Sequence, residues 1–408
     1  MRSKVLATAS LFVLALGNSV YWPPAYNNVT SDVEILSDPN NIDGFKMNAS
    51  AMVGGSFDFW YFDVVSESTD AVVNIVFFNT GDFYYQLGNG QPLAVQLTGK
   101  YANGTEFFIQ TFATEGAIIM NDDCGVSADF KGSGASFVGT NLKKPNVTYT
   151  ITYDGSVGGR APAHFPCDAR DVVGANQNLL PYLFWANAVP DAEAVVDLTI
   201  GSASLQIHDG IGYHDKNWGQ KSVITSPKYW DWGHARVGPY AIVWYDLLDY
   251  NDIEHAYAYV SKDGEEPFVS CGGNTVKVRQ WGPANMTYTY PPTNKLGLLA
   301  NNGLLVDYEL PSGEKLFFNV TTTAIIKTEE GNVYSRGVGD VVGGVVGGTS
   351  YSVRARVTIG SPLVSYIDAC RGLGTLNGQL KSDLRVIRLR DWVISYSRNT
   401  TAQPQESD

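Results

Sequence analysis

The chain has 408 residues, of which 44% are hydrophobic and 17% charged. That size and apolar share exclude global disorder and support one large or two medium domains with substantial cores. Lys and Arg number 28 against 41 Asp and Glu, a formal charge of -13. An acidic chain with no basic tract repels phosphate backbones, which argues against a nucleic-acid partner.

Residues 1–19 read as a secretory signal. Met1 to Lys4 is basic, Val5 to Leu16 is an apolar run, and Ala15-Leu16-Gly17 offers small residues for cleavage after Gly17 or Ser19. The run is shorter than the roughly 20 apolar residues a spanning helix needs, and no later segment is apolar enough to span. The mature protein is therefore expected in the secretory lumen or outside the cell. Sequons begin at Asn28, Asn48, Asn103, Asn146, Asn285, Asn319 and Asn399, so surface N-linked glycans are expected. The cysteines are Cys124, Cys167, Cys271 and Cys370. In an oxidising compartment an even set predicts disulfides. Pairing within each half of the chain gives Cys124–Cys167 and Cys271–Cys370. Their wide spacing argues against zinc, which favours C-x-x-C clusters, and no metal or cofactor is expected.

Strand patterns dominate. Phe57–Val65, Ala71–Phe78, Asn146–Tyr153 and Ala194–Ile200 are β-branched or aromatic runs. Turn signals separate them: Gly88-Asn89-Gly90, Asp154-Gly155, Asp263-Gly264, Ser312-Gly313 and Glu330-Gly331-Asn332. The spacing predicts an all-β protein of antiparallel sandwich or barrel architecture, organised as two β domains. Short helices are expected only near Leu179–Ala186 and Leu384–Val393. Gly337 to Gly348 has neither G-x-G-x-x-G nor a P-loop lysine and reads as a glycine-rich barrel turn or loop. The expected domains are 20–265 and 266–400, with a disordered tail at 401–408.

The densest chemistry lies between Ile207 and Tyr259. The run Gly210-Ile211-Gly212-Tyr213-His214-Asp215-Lys216-Asn217-Trp218-Gly219 is followed by Tyr229-Trp230-Asp231-Trp232-Gly233-His234. On strands, residues two apart share a face, so Trp230, Trp232 and His234 point one way. Trp244 pairs in this sense with Asp246, and Tyr257 with Tyr259. Such strands build either an ordinary core or a cavity wall of indoles and phenols for a flat conjugated ligand. Asp215 and Asn217 read as a polar latch and Trp218 as a core plug. His208, His214 and His234 are spaced too irregularly for a convincing metal site.

The run at 210–219 with the following Trp-x-Trp-Gly strand resembles the carotenoid hydratase (hydroxyneurosporene synthase)-like family of double lipocalin-like proteins, and within it the fungal Diels–Alderases. The resemblance implies an N-terminal β-sandwich or barrel followed by a C-terminal lipocalin-like β-barrel, a substrate pocket between the two, and small apolar conjugated substrates. It implies a cofactor-free [4+2] cycloaddition. The secretory signal makes the chain look most like secreted hetero-Diels–Alderases that join a tropolone-derived quinone methide to a humulene-type sesquiterpene. On that reading His214, His234, Tyr257 and Asp246 are the catalytic candidates. Trp230, Trp232, Trp244, Tyr259 and Lys216 bind substrate, and Tyr213, Asp215, Asn217 and Trp218 form the structural motif. The alternatives are an intramolecular, decalin-forming cyclase, a polyene hydratase or isomerase, and a lipocalin-like carrier. A glycan-active enzyme lacks the paired carboxylate motif it would need.

Overall fold

The computed structural model describes residues 18–25, 32–48, 55–79, 91–144, 146–151, 155–221, 223, 226–265, 267–272, 275–282, 290, 301–328, 334–348 and 350–362. These residues are all-β. The first strands are β1 Asn18–Trp22, β2 Phe57–Ser66, β3 Val72–Asn79, β4 Leu93–Lys100, β5 Glu106–Phe112, β6 Ala117–Asp122 and β7 Gly125–Phe130. They continue as β8 Ala135–Thr140, β9 Thr148–Ile151, β10 Gly155–Gly159, β11 Asn178–Leu180, β12 Leu183–Ile200 and β13 Ala203–Gly219. All join one antiparallel sheet in the order β1-β6-β7-β8-β9-β10-β12-β13-β2-β3-β4-β5, with β11 beside β12. The sheet folds over a single core. Trp60 and Phe62 of β2 and Phe77 of β3 meet Phe130 of β7 and Phe137 of β8, with ring centroids 5.0 to 5.5 Å apart. Each such ring contributes about 2 kcal/mol by leaving water.

The second sheet contains β14 Pro227–Val237, β15 Tyr240–Asp249, β16 Glu254–Lys262, β17 Phe268–Cys271, β18 Val276–Trp281, β19 Gly303–Glu309, β20 Lys315–Thr328, β21 Tyr334–Val345 and β22 Ser350–Pro362. Its order is β17-β16-β15-β14-β22-β21-β20-β19-β18. The sheet curls until β18 lies against β15 and β16. There the amide of Val278 on β18 donates to the Asp246 carboxylate on β15 at 3.1 Å. Its inner face packs Ile242, Trp244, Val278, Leu304, Val306, Phe318 and Val320 into a second core.

Several expectations change. The chain leaves the first sheet at Gly219 and enters the second at Pro227, so β14 to β16 belong to the C-terminal sheet and not to a domain ending at 265. Leu179–Ala186 is strand, not helix. Pro181 and Tyr182 make a turn between β11 and β12, with Tyr182 at φ 70°. Beyond that turn Phe184 and Trp185 serve opposite cores, a division that strand alternation permits. The second expected helix lies outside the described residues. Most of Gly337–Gly348 is strand β21, hydrogen-bonded to both β20 and β22. Its glycines allow close approach. A Cβ on Gly343 would stand 2.1 Å from the Phe317 carbonyl oxygen.

The disulfide pairing is also different. Cys167 bonds Cys271, with their Cα atoms 5.0 Å apart. Cys124 is a free, exposed thiol in the turn between β6 and β7, and Cys370 lies outside the described residues. Proximity along the chain misleads here because the segment after β10 lies against β16, where the Tyr259 hydroxyl donates to the Pro162 carbonyl at 3.0 Å. The bond closes a loop with a sequence separation of 104, which constrains the unfolded chain by about 4–5 kcal/mol. Reductant should therefore lower the thermal midpoint. A thiol reagent should label Cys124 before reduction, and Cys167 and Cys271 only after it. An unchanged midpoint on full reduction would contradict the cross-link.

Candidate active site

Strand β13 runs along the middle of the first sheet, and its alternation divides the Tyr-His-Asp-Lys-Asn-Trp run between two environments. His214, Lys216 and Trp218 enter the first core. The His214 ring stacks on Phe62 at 3.9 Å. Its Nδ1 is 2.8 Å from the Tyr61 carbonyl and its Nε2 is 2.9 Å from Asp43. The Tyr149 hydroxyl donates to the other Asp43 oxygen at 2.6 Å. Lys216 pairs with Asp58, and its ammonium lies 3.3 Å from the centre of the Trp60 ring. Burial raises the Asp58 carboxyl and lowers Lys216 to about 8. Trp218 donates its indole N–H to the Glu34 carbonyl at 2.6 Å and plugs the core as expected. His214 and Lys216 are fully buried against these partners, so neither reaches a substrate. Their place is structural, as pairs that are costly to break singly.

Tyr213, Asp215 and Asn217 face the other way, toward the second sheet. Asp215 accepts from the Trp185 indole at 2.9 Å, the Tyr213 hydroxyl at 2.9 Å and the Asn217 amide at 2.8 Å. Asp215 and Asn217 are not a loop latch capping turn amides: they sit on a strand, where the Asn217 amide donates to Asp215. Across the gap, Trp232 and His234 project from β14. His234 Nε2 lies 3.0 Å from Asp63 of β2, and the His234 ring stacks on Tyr213 at 4.1 Å. The Tyr61 hydroxyl donates to Asp63 at 2.8 Å. Trp232 stands edge-on to both Tyr61 and Tyr213 at 5.4 Å.

Tyr245 of β15 closes one wall, edge-on to Trp185 at 5.7 Å. From β21, the Arg336 guanidinium lies 4.9 Å from the Tyr61 ring and 5.4 Å from the Tyr334 ring, and Nη1 donates to Asn74. Phe59, Phe112 and Trp230 are partly exposed members of this cluster, and Tyr334 lies against Trp230 at 5.9 Å. The cluster thus reaches solvent along an aromatic rim.

Of the expected site residues, Trp230, Trp232, His234, Tyr257 and Tyr259 reach this inter-sheet cluster. The Tyr257 hydroxyl donates to the Leu179 carbonyl, and the Tyr259 ring stacks on His164 at 4.4 Å. Trp244 and Asp246 share a face as expected, but that face is the inside of the second sheet, behind Tyr245. The three histidines weighed for a metal also separate. His208 is exposed on β13, His214 lies in the first core, and His234 lies between the sheets. Tyr61, Asp63, His164, Trp185, Tyr245, Tyr334 and Arg336 were missed. They come from segments far apart in sequence, and strand alternation alone does not show which faces meet.

Residues 31–353 match the Diels-Alderase-like family. The chain belongs to that family. It is accordingly a cyclase-type enzyme. The quinolone epoxide rearrangement protein penF of Penicillium thymicola is 35% identical over 82% of this chain and 93% of its own length. The quinolone epoxide rearrangement protein asqO of Emericella nidulans is 33% identical over 86% of this chain and 95% of its own length. A crystal structure of CghA superposes with a TM-score of 0.64 at 15% identity, covering 85% of this chain and 98% of that one. At that identity it shows the shared fold.

In this Diels-Alderase-like enzyme the inter-sheet cluster is arranged to hold protons. Burial pushes the phenols of Tyr61, Tyr213 and Tyr245 well above the ordinary tyrosine range. They therefore remain donors. Burial also raises Asp215 to about 6, against donors from Trp185 and Tyr213 that favour its charged form. His164 is pushed down to about 4 by burial, so it stays neutral.

A carboxyl raised on folding binds its proton more tightly in the native state. Its stabilisation is present below the unfolded value near 3.8 and is lost as pH rises through about 6. The stability of the natural protein relative to Asp215→Asn should therefore fall by roughly 2 kcal/mol between about pH 4 and about pH 7. Denaturant unfolding at both pH values checks this. A difference that does not change with pH would contradict it.

Proposed function

We propose that this enzyme binds a neutral, planar, conjugated small molecule between its two sheets and activates one of the substrate's oxygens for ring formation or rearrangement. The observation that carries the reading is Arg336. It sets a positive charge beside Tyr61 and Tyr334, inside an aromatic cluster that also holds Trp232 and Tyr245. A fixed cation in a poorly solvated site stabilises negative charge growing on an epoxide or carbonyl oxygen. The aromatic walls restrict how the substrate's π system lies, and orientation alone supplies up to roughly 7–11 kcal/mol when two reactants are joined.

A quinolone epoxide is the first substrate class, because two relatives at 33–35% identity act on one by name. Developing alkoxide character at the opening epoxide would face Arg336, while the indoles and phenols shelter cationic character on carbon. The hetero-Diels–Alder coupling of a quinone methide with a humulene-type alkene is the second reading. It is favoured by the engagement of Asp63 and Asp215 with protein donors, since a cycloaddition needs polarisation and stacking and little proton transfer. Passage through the secretory pathway is supported by the Cys167–Cys271 bond and by exposed Asn48, Asn103, Asn146 and Asn319. Cleavage after Gly17 would leave β1 whole.

Incubation with a quinolone epoxide, followed by chiral chromatography, should give one stereoisomer faster than the enzyme-free control. Arg336→Gln should lower kcat/KM by about 10²-fold, and Trp232→Ala should erode stereoselectivity, with thermal unfolding confirming that both variants fold. Full turnover by Arg336→Gln would refute the role given to the cation. A background-rate racemate would turn the test to the quinone-methide pair. Endoglycosidase treatment should lower the mass of the secreted protein, and an unchanged mass would remove the glycan part of the reading.

A further inference from the structure

The outer face of the second sheet carries a sequon in apolar surroundings. On β20, Leu316, Phe318 and Val320 point into the second core and are fully buried. Strand alternation turns Phe317, Asn319 and Thr321 to the other face, where all three are exposed. Asn319-Val320-Thr321 is a sequon. Its acceptor Asn and its Thr therefore stand side by side in solvent, although the backbone between them is paired on both sides, with β19 and with β21.

The neighbours of Asn319 on this face are apolar. Leu305 of β19 and Val342 of β21 are its register partners. Directly opposed side chains lie about 5 Å apart at Cβ. Phe317 is two residues back on the same strand, about 7 Å away. Leu305 is half-buried, whereas Phe317 is 36% and Val342 44% exposed. Phe317 faces Gly344 across the sheet, so its register partner on β21 has no side chain to cover the ring. The first N-acetylglucosamine of an N-linked glycan has an apolar C–H face that can lie flat on an aromatic ring while its hydroxyls stay in water. An exposed Asn set among exposed apolar side chains offers that sugar a surface to rest on. The sequon at Asn103 is placed differently. It lies in the turn between β4 and β5, where Asn103 Oδ1 accepts from the Thr105 amide at 2.9 Å.

We propose that Asn319 carries an N-linked glycan whose first N-acetylglucosamine packs on Phe317 and Val342 and shields this patch from water. The inference rests on passage of the chain through the secretory pathway. The transfer forms a bond from Asn319 Nδ2 to the sugar C1 and breaks the C1–O bond of a lipid-pyrophosphate-linked oligosaccharide. The amide gives up one proton, and the lipid pyrophosphate leaves with the bonding pair.

The test uses the full chain secreted from a yeast host. Peptide mass mapping should find glycan on Asn319, while glycan on Asn103 reports secretory passage independently. Asn319→Gln and Thr321→Ala should each remove the Asn319 glycan and lower the thermal midpoint by about 2 °C. Endoglycosidase trimming to the innermost N-acetylglucosamine should leave the midpoint unchanged. In a Phe317→Ala background, Asn319→Gln should lower it no further, because the ring under the sugar is gone. Should Phe317→Ala not be secreted, Phe317→Leu serves in its place with the same expectation. Glycan on Asn103 with Asn319 bare would overturn the proposal and leave secretory passage standing, whether or not the bare face then pairs with a second copy of the chain in light scattering. No glycan on any sequon would overturn both. An equal loss of midpoint from Asn319→Gln with and without the Phe317 ring would overturn the packing of sugar on ring.

Discussion

Asp63 and His234 meet across the two sheets, one from β2 and the other from β14, at 3.0 Å with both side chains buried. A buried carboxylate facing an imidazole is stable only if the surrounding backbone holds both in register and shuts out water. That requirement fixes how β2 and β14 face each other. It places Tyr61 on one oxygen of Asp63 and Tyr213 flat against the imidazole. From that junction the aromatic cluster extends to Trp232, Trp185 and Tyr245. Arg236 reinforces the same contact further along β14 through Asp191 at 2.8 Å, and Arg336 does so from β21 through Asn74.

β13 explains why a single motif contributes to two unlike places. Its odd-numbered residues, Tyr213 to Asn217, form the polar floor of the inter-sheet cluster. Its even-numbered residues, His214 to Trp218, lock the first core through Asp43, Asp58 and Glu34. The locking partners Glu34 and Asp43 lie between β1 and β2, near Val33, Ile42 and Met47, which pack into that core. A substitution at His214 or Lys216 would therefore act on folding, and one at Tyr213 or Asp215 on the site itself.

Much of this was legible in the sequence, and the reasons are local. The strand character of Phe57–Val65 and Ala71–Phe78, and the shared faces of Trp230, Trp232 and His234, follow from a period of two that any pleated strand obeys. The Asp263-Gly264 turn follows from left-handed backbone at both residues, with φ of 54° and 76°. Which of two faces is the working one was not legible. Asp246 and His214 looked like catalytic groups because they are polar residues among aromatics. Only the tertiary pairing shows that one faces the inside of the second sheet and the other the first core. Arg336 was hidden because it sits beside a glycine-rich stretch with no chemical signature, and its meaning comes from Tyr61, far away in the chain. The Cys167–Cys271 bond was hidden for the same reason.

The family, the fold and the cluster converge on a site that works by position and electrostatics, with the acidic side chains largely spent on holding the walls. A crystal structure with an unreactive substrate analogue tests this most directly. The account predicts the analogue between the sheets, its ring system against Trp232 and Tyr245 and an oxygen turned toward Arg336. An analogue seated elsewhere, with the inter-sheet aromatics closed on one another, would contradict it.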